Sequence, residues 1–137
     1  MMSRVTDLLE DYAFWDDAVR KKREELDRLH DRKTSIKIVY SDAPGGEPQT
    51  MADYVAERDE LEMDLEELKD KRFRTFSEIM RLAFRLESQK QFDMIYRRDI
   101  HRDGWRRICK DLDIKRSAAT DLHSRAIRSL EAIDEKT

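Results

Sequence analysis

From Leu8 onward the side chains that face a helical seam return in steps of four and three: Leu8, Tyr12, Trp15, Val19, Lys22, Leu26, Leu29. This alternation keeps one face of an α-helix apolar along its length, the spacing of a helix packed on another helix. Lys22 is its one polar position. The rhythm predicts a helix over about residues 4–33. A second stripe runs Met51, Tyr54, Arg58, Leu61, Leu65, Leu68, Arg72, Thr75, Ile79, Leu82, Leu86, with Phe73 and Phe76 widening it. Thr50 is a good N-cap for this helix, with Asp53 three residues later. Between the two stripes, Ile36, Ile38 and Tyr40 alternate as in a short extended segment. Asp42, Pro44, Gly45, Gly46 and Pro48 then form a cluster that cannot continue a helix. Residues 1–87 are therefore expected to form a long antiparallel, coiled-coil-like helical hairpin with its turn at 34–50.

High charge is the one feature that argues against order. Charged residues make up 43% of the chain, against 39% hydrophobic, and such compositions are often disordered. Here the apolar residues keep helical spacing through most of the length, and only three glycines and two prolines interrupt it. The charges are thus expected on the wet faces of long helices. The stripe holding Phe14, Trp15, Phe73 and Phe76 is wider than two helices can cover. Another copy of the chain or the C-terminal region should bury the remainder, and self-association through the hairpin is the expectation.

The last third changes character. Phe92, Ile95 and Tyr96 mark an amphipathic helix over about 88–99, and His101-Arg102-Asp103-Gly104 is a polar break. Trp105, Ile108, Cys109 and Leu112 follow the spacing of a short helix. Asp113-Ile114-Lys115 is a tight connection, and a final helix buries Ala119, Leu122, Ala126, Ile127 and Leu130. Short helix, brief turn and second helix with a small residue early on its buried face fit helix-turn-helix geometry. The expected fold is all-α, with the hairpin followed by a C-terminal helix-turn-helix bundle over 88–137.

Charge divides along the same line. Residues 1–87 hold 16 Lys+Arg against 22 Asp+Glu, whereas residues 94–130 hold 10 against 5. An acidic body with a basic end points to a polyanion approached by the end alone.

The stretch Leu112 to Leu130, LDIKRSAATDLHSRAIRSL, resembles the recognition unit of region four in bacterial sigma factors. Ile114 stands at that unit's turn, and Ala126, Ile127 and Leu130 at its close. With the hairpin and the YSDAPGG segment, Tyr40 to Gly46, residues 36–132 resemble small phage and prophage regulators with a sigma-like C-terminus, of the RinA and ArpU late-gene activator type. The resemblance implies binding of promoter DNA and, by analogy with sigma factors, contact with RNA polymerase. Two positions depart from the pattern. Asp113 stands where glycine is favoured for positive φ. Lys115 stands where a Ser or Thr cap is common, so the cap moves to Ser117 or is missing.

Mapped onto this sequence, the outward residues at the start of the last helix are Arg116, Ser117, Thr120, Asp121 and Ser124, the candidates for reading base edges in the major groove. Arg116 suits guanine O6 and N7, and Asp121 suits cytosine N4 unless it only orients a nearby arginine. Arg106, Arg107, Lys110, Lys115, Arg125 and Arg128 are the phosphate candidates, with a solvated helix face as the plain alternative.

Trp105 and the Phe92–Tyr96 pair read as core, and Cys109 as an inert core thiol. His30, His101 and His123 lack metal-ligand spacing, and His123 reads as a surface residue within reach of a phosphate. Tyr40 to Gly46 reads as a turn, since no Lys-Ser or Lys-Thr follows its glycines as in a P-loop. No nucleophile–base pair or cofactor fingerprint is present, so a non-catalytic protein without cofactors is expected. A lone cysteine, no signal-like N-terminus and no run of roughly 20 apolar residues lead to the expectation of a soluble protein in the bacterial cytoplasm, with no membrane partner.

The leading function is sequence-specific binding of double-stranded DNA by a transcriptional regulator, more in keeping with an activator. The alternatives are a DNA-packaging recognition subunit of small-terminase type and a coiled-coil adaptor with no DNA role.

Overall fold

The structure, a computed structural model, describes residues 3–40 and 51–137. It is all-helical, with no strand among the described residues. The elements are α1 (Arg4–Tyr40), α2 (Met51–Ala83), α3 (Gln89–Ile95), a single π-helical turn (Tyr96–Ile100), α4 (Trp105–Leu112) and α5 (Arg116–Glu135).

Helix α1 begins where Ser3 caps it. The Thr6 backbone N–H donates to Ser3 Oγ at 3.1 Å, and Asp7 places a negative charge in the first turn. The helix then runs unbroken to Tyr40, which corrects the extended reading of Ile36, Ile38 and Tyr40. Among the described residues there is no strand for so brief an apolar alternation to pair with. Propagating an existing helix through β-branched residues costs at most about 0.7 kcal/mol each, because the expensive nucleus is already formed. The remainder of the 34–50 turn, including the Thr50 cap and the YSDAPGG residues after Tyr40, lies outside the described residues.

The chain divides into two compact units, and the division is not the one expected at 87/88. One unit is Trp15–Lys71; the other joins Met1–Phe14 to Arg72–Thr137. Both long helices therefore contribute to each unit.

Within Trp15–Lys71 the two helices run antiparallel, as the falling partner numbers show. Lys71 Nζ lies 4.9 Å over the Trp15 ring, Lys22 Nζ lies 3.9 Å from Asp64, and Tyr54 Oη lies 2.8 Å from His30 Nδ1. Arg32 Nη2 donates to Glu57 at 3.0 Å. The apolar centre is narrow: Val19, Leu26 and Leu65 form one cluster with Leu61 and Leu68 against them, and Leu29 and Tyr54 are buried as well. Lys22, the polar position of the seam, reaches Glu25 and Asp64 with its ammonium group while its stem stays largely covered.

In the other unit the core is larger, and its composition explains the displaced boundary. Val5, Leu9 and Tyr12 of α1 and Ile79, Met80, Leu82 and Ala83 of α2 pack with Ile95, Ile100, Ala126 and Leu130. The apolar stripe left open by the first and last turns of the hairpin is thus covered by the C-terminal helices of the same chain. Arg4 ties the ends together, donating from Nη1 to Asp134 at 2.6 Å. A second cluster gathers Met94, Ile108 and Ala119, with Trp105, Cys109, Leu112, Ile114 and Leu122 packed on it. Cys109 and Trp105 therefore sit on the cluster the spacing assigned them, both half-buried.

Candidate nucleic-acid interface

The two clusters fix the last two helices. Helix α4 turns Ile108, fully buried, toward the smaller cluster and leaves Arg106, Arg107 and Lys110 exposed on its other faces. Helix α5 buries Ala119 beside Ile108 and, further along, Ala126 and Leu130 in the larger core. Alanine at both close-approach positions lets α5 lie near its neighbours without a side chain to displace.

The connection between α4 and α5 is built by Asp113, whose φ of 53° and ψ of 51° lie in the left-handed region. Its N–H bonds back to the Lys110 carbonyl at 3.4 Å, and the Ile114 N–H reaches the Cys109 carbonyl at 3.1 Å. This pair of bonds is the Schellman pattern, in which a left-handed residue closes a helix and satisfies its last carbonyls. The hydrophobic contact that accompanies the pattern is supplied by Ile114, which packs in the cluster of Ile108 and Cys109. Aspartate thus does at 113 what glycine does more cheaply, at a cost of about 1–2 kcal/mol. Lys115 then stands at the N-cap of α5 with no side-chain cap bond, so the cap is missing rather than moved to Ser117.

Upstream, the π-helical turn adds a residue to the winding just before the break. The His101 N–H bonds to the Tyr96 carbonyl at 2.9 Å, and Arg102 takes a φ of 61°. The inserted residue coincides with a polar cluster against α5. His123 Nε2 and Asp99 Oδ2 lie 2.8 Å apart, with side chains only 16% and 15% exposed. The His123 ring meets Trp105 edge-on at 5.6 Å, and the Arg98 guanidinium lies 4.5 Å over the same indole. Arg98 also donates to the Asp103 carbonyl at 3.0 Å. This corrects the reading of His123 as a surface residue: it is a strut between α5 and the π-helical turn. The aspartate lies 24 positions away, a distance that no local pattern reveals.

On α5, Ser117, Asp121, Ser124 and Arg128 recur on the face opposite Ala119, Ala126 and Leu130. Arg116 and Thr120 flank this face on one side and Arg125 on the other. Arg116, Ser117, Asp121 and Ser124 are exposed; Thr120 is half-buried. The Thr120 hydroxyl donates within the helix, 3.1 Å from the carbonyls of Arg116 and Ser117, which leaves it only acceptor capacity. Asp121 Oδ2 lies 3.1 Å from Arg125 Nη2 in an ion pair, the arginine partner that was the alternative to base contact.

The phosphate candidates differ in their surroundings. Arg107 lies 3.8 Å from Asp111, which also receives Arg97 at 3.3 Å. Arg128 Nε lies 3.5 Å from the Ser124 carbonyl. Among the described residues, no ion pair engages Arg106, Lys110, Lys115 or Arg116, and all four are exposed. They occupy α4, the end of the turn and the first residue of α5, four cations within residues 106–116. Among the described residues, Lys21, Arg23 and Arg28 on α1, Arg81 and Arg85 around the end of α2, and Lys90 on α3 are likewise exposed and without an ion pair.

Among the described residues no three His, Cys, Asp or Glu side chains are grouped to hold a metal ion. No helix there is long and apolar enough to cross a membrane. Comparison with protein-family models, with characterised proteins and with solved structures finds no match for this chain.

Proposed function

We propose that the chain is a sequence-specific double-stranded DNA-binding protein, a transcriptional regulator of the phage or prophage kind, that lays the start of α5 in the major groove. One observation carries the reading. A short helix, a left-handed turn and a second helix display four exposed, unpaired cations, Arg106, Lys110, Lys115 and Arg116, on a chain whose overall charge is -3. Cations without internal partners are free to replace the counterions of a phosphate backbone, which is the main source of duplex affinity. Arg116 and Ser117 stand where base edges are read, and Lys110, Lys115, Arg106 and Arg107 where the strand passes.

The hairpin would assemble copies of the protein. Support comes from large apolar side chains left in water: Phe14 at 63% and Phe73 at 64% exposure, and Met63 at 72%. Activation of transcription, contact with RNA polymerase and a place in the bacterial cytoplasm complete the proposal by analogy with sigma-like regulators. Selection of duplexes from a genomic DNA pool on the immobilised protein tests it. A recurring sequence motif is expected; recovery of unenriched DNA only, or of none, would leave the adaptor reading in its place.

A further inference from the structure

The centre of the outward face of α5 holds a carboxylate, an odd choice for a surface meant to meet phosphates. Asp121 is half exposed to solvent, at 54%, and pairs with Arg125, 66% exposed, one turn further on. Exposed pairs of this kind add little to stability. What the pair does instead is set a direction. Side chains on a helix lean toward its N-terminus, so Arg125, which lies on the flank, is drawn back and across onto the stripe of Ser117, Asp121 and Ser124. The ion pair brings Nη2 to Asp121 Oδ2, and a guanidinium has five N–H groups in a rigid fork. An edge with two donors stays open, and so does Asp121 Oδ1.

The pair therefore offers two open donors on the guanidinium beside an open carboxylate acceptor. A G·C pair shows the major groove the matching series: N7 acceptor, O6 acceptor and cytosine N4 donor. An A·T pair ends its series on the thymine O4 acceptor, which a carboxylate oxygen repels. We infer that Asp121 and Arg125 act as one base-reading unit that selects a G·C pair, with Arg125 reading guanine rather than a phosphate. The inference rests on the duplex-binding reading above and names the specificity of that same site. It moves Arg125 from backbone contact to base contact and gives Asp121 a role in rejection as well as recognition.

The test uses the full chain, a duplex selected from a random-sequence pool, a scrambled duplex of equal composition, and single base-pair variants of the selected one. Arg125→Lys keeps the charge but removes the fork. It is expected to lower affinity for the selected duplex by roughly tenfold or more while leaving the scrambled duplex nearly unchanged. Asp121→Asn, whose amide can also donate, is expected to reduce the preference for G·C over A·T at one position about tenfold. Asp121→Ala is expected to bind the scrambled duplex more tightly than the parent does. Both positions of change are exposed, so unchanged helicity by circular dichroism accompanies these effects. If Arg125→Lys binds both duplexes as the parent does, or if Arg125→Ala weakens both equally, Arg125 is a phosphate contact and the inference falls while DNA binding stands. If the parent chain binds no duplex at all, both fall together.

Discussion

Basic residues are set differently in the two units of this molecule. Between Trp15 and Lys71 the chain has 11 Lys+Arg and 17 Asp+Glu, and several basic groups find acidic ones close by, among them Lys22 with Glu25 and Asp64, Arg32 with Glu57, Lys69 with Glu66 and Lys71 with Glu67. Among the described residues, Lys21, Arg23 and Arg28 are exposed without an ion pair, in a stretch rich in glutamate and aspartate. On α4 and the start of α5, four cations have no such partner. The apolar contents differ as well. The hairpin unit buries Val19, Leu26, Leu29, Tyr54 and Leu65 along a narrow seam, whereas the unit with the C-terminal helices builds two clusters with Met94, Ile95, Ile108, Ala119 and Ala126 fully covered. Charge counts alone hide this contrast. What matters for binding a polyanion is where unneutralised cations crowd together: Arg106, Lys110, Lys115 and Arg116 fall within eleven residues on the unit with the larger core, whereas Lys21, Arg23 and Arg28 alternate with Glu24, Glu25, Asp27 and Asp31.

The largest effects should come from breaking the packing side of that contrast. Ile108→Ala opens a void at a fully buried site closed by helices on several sides and is expected to cost about 3–5 kcal/mol. Leu65→Ala lies in a seam that can close up or admit water, and is expected to cost about 2 kcal/mol. Urea unfolding of both variants, followed by circular dichroism, compares them; equal losses would mean that the two units are equally well packed.

A smaller effect separates the two histidine contacts. His123→Ala leaves the mostly buried Asp99 carboxylate without its partner and is expected to cost about 1–3 kcal/mol. His30 bonds to Tyr54 from an exposed position, so His30→Ala is expected to cost less than about 1 kcal/mol. Thermal unfolding of the two variants tests the order, and a reversed order would deny His123 its bracing role.

Two lysines then probe the charge side. Lys110 is unpaired, and Lys110→Ala is expected to weaken duplex binding roughly fivefold and flatten its salt dependence by about one unit. Lys69 is engaged with Glu66, and Lys69→Ala is expected to leave both unchanged. Fluorescence anisotropy at several salt concentrations reads the pair, and a matching loss in the two would indicate diffuse attraction without a defined face. The smallest effect is a gain. Asp113→Gly keeps the left-handed turn without the Cβ penalty and is expected to raise stability by about 0.5–1 kcal/mol, with duplex binding retained. A loss of stability there would mean that the Asp113 side chain has a role beyond the turn.

How far the sequence reaches follows from the range of each interaction. The seams of α1 and α2, the short α4 and the buried face of α5 are periodic features of neighbouring residues, so spacing alone located them. Positive φ at Asp113 was implied by the resemblance of its turn to one that favours glycine, and an arginine partner for Asp121 was legible from the sequence. The continuation of α1 to Tyr40 was missed because a brief alternation of Ile36, Ile38 and Tyr40 carries less weight than a helix already under way. The joining of the N-terminal turns to the C-terminal helices depends on meetings such as Arg4 with Asp134, 130 positions apart, for which no local signal exists. The π-helical turn and the Asp99–His123 contact belong to the same class. Their hint was a polar pair on otherwise amphipathic helices, and only the fold brings the two together.

The central claim is that unpaired cations on α4 and α5 bind a DNA duplex. Affinity of the unmodified chain for a selected duplex, measured across a series of salt concentrations, tests it most directly. The account predicts that log affinity falls linearly with log salt with a slope of about −4 to −6, one unit for each phosphate contacted. It also predicts that Lys110→Ala and Lys115→Ala together make the slope shallower by about two units. A flat response, or a steep one that the two substitutions leave unchanged, would contradict it.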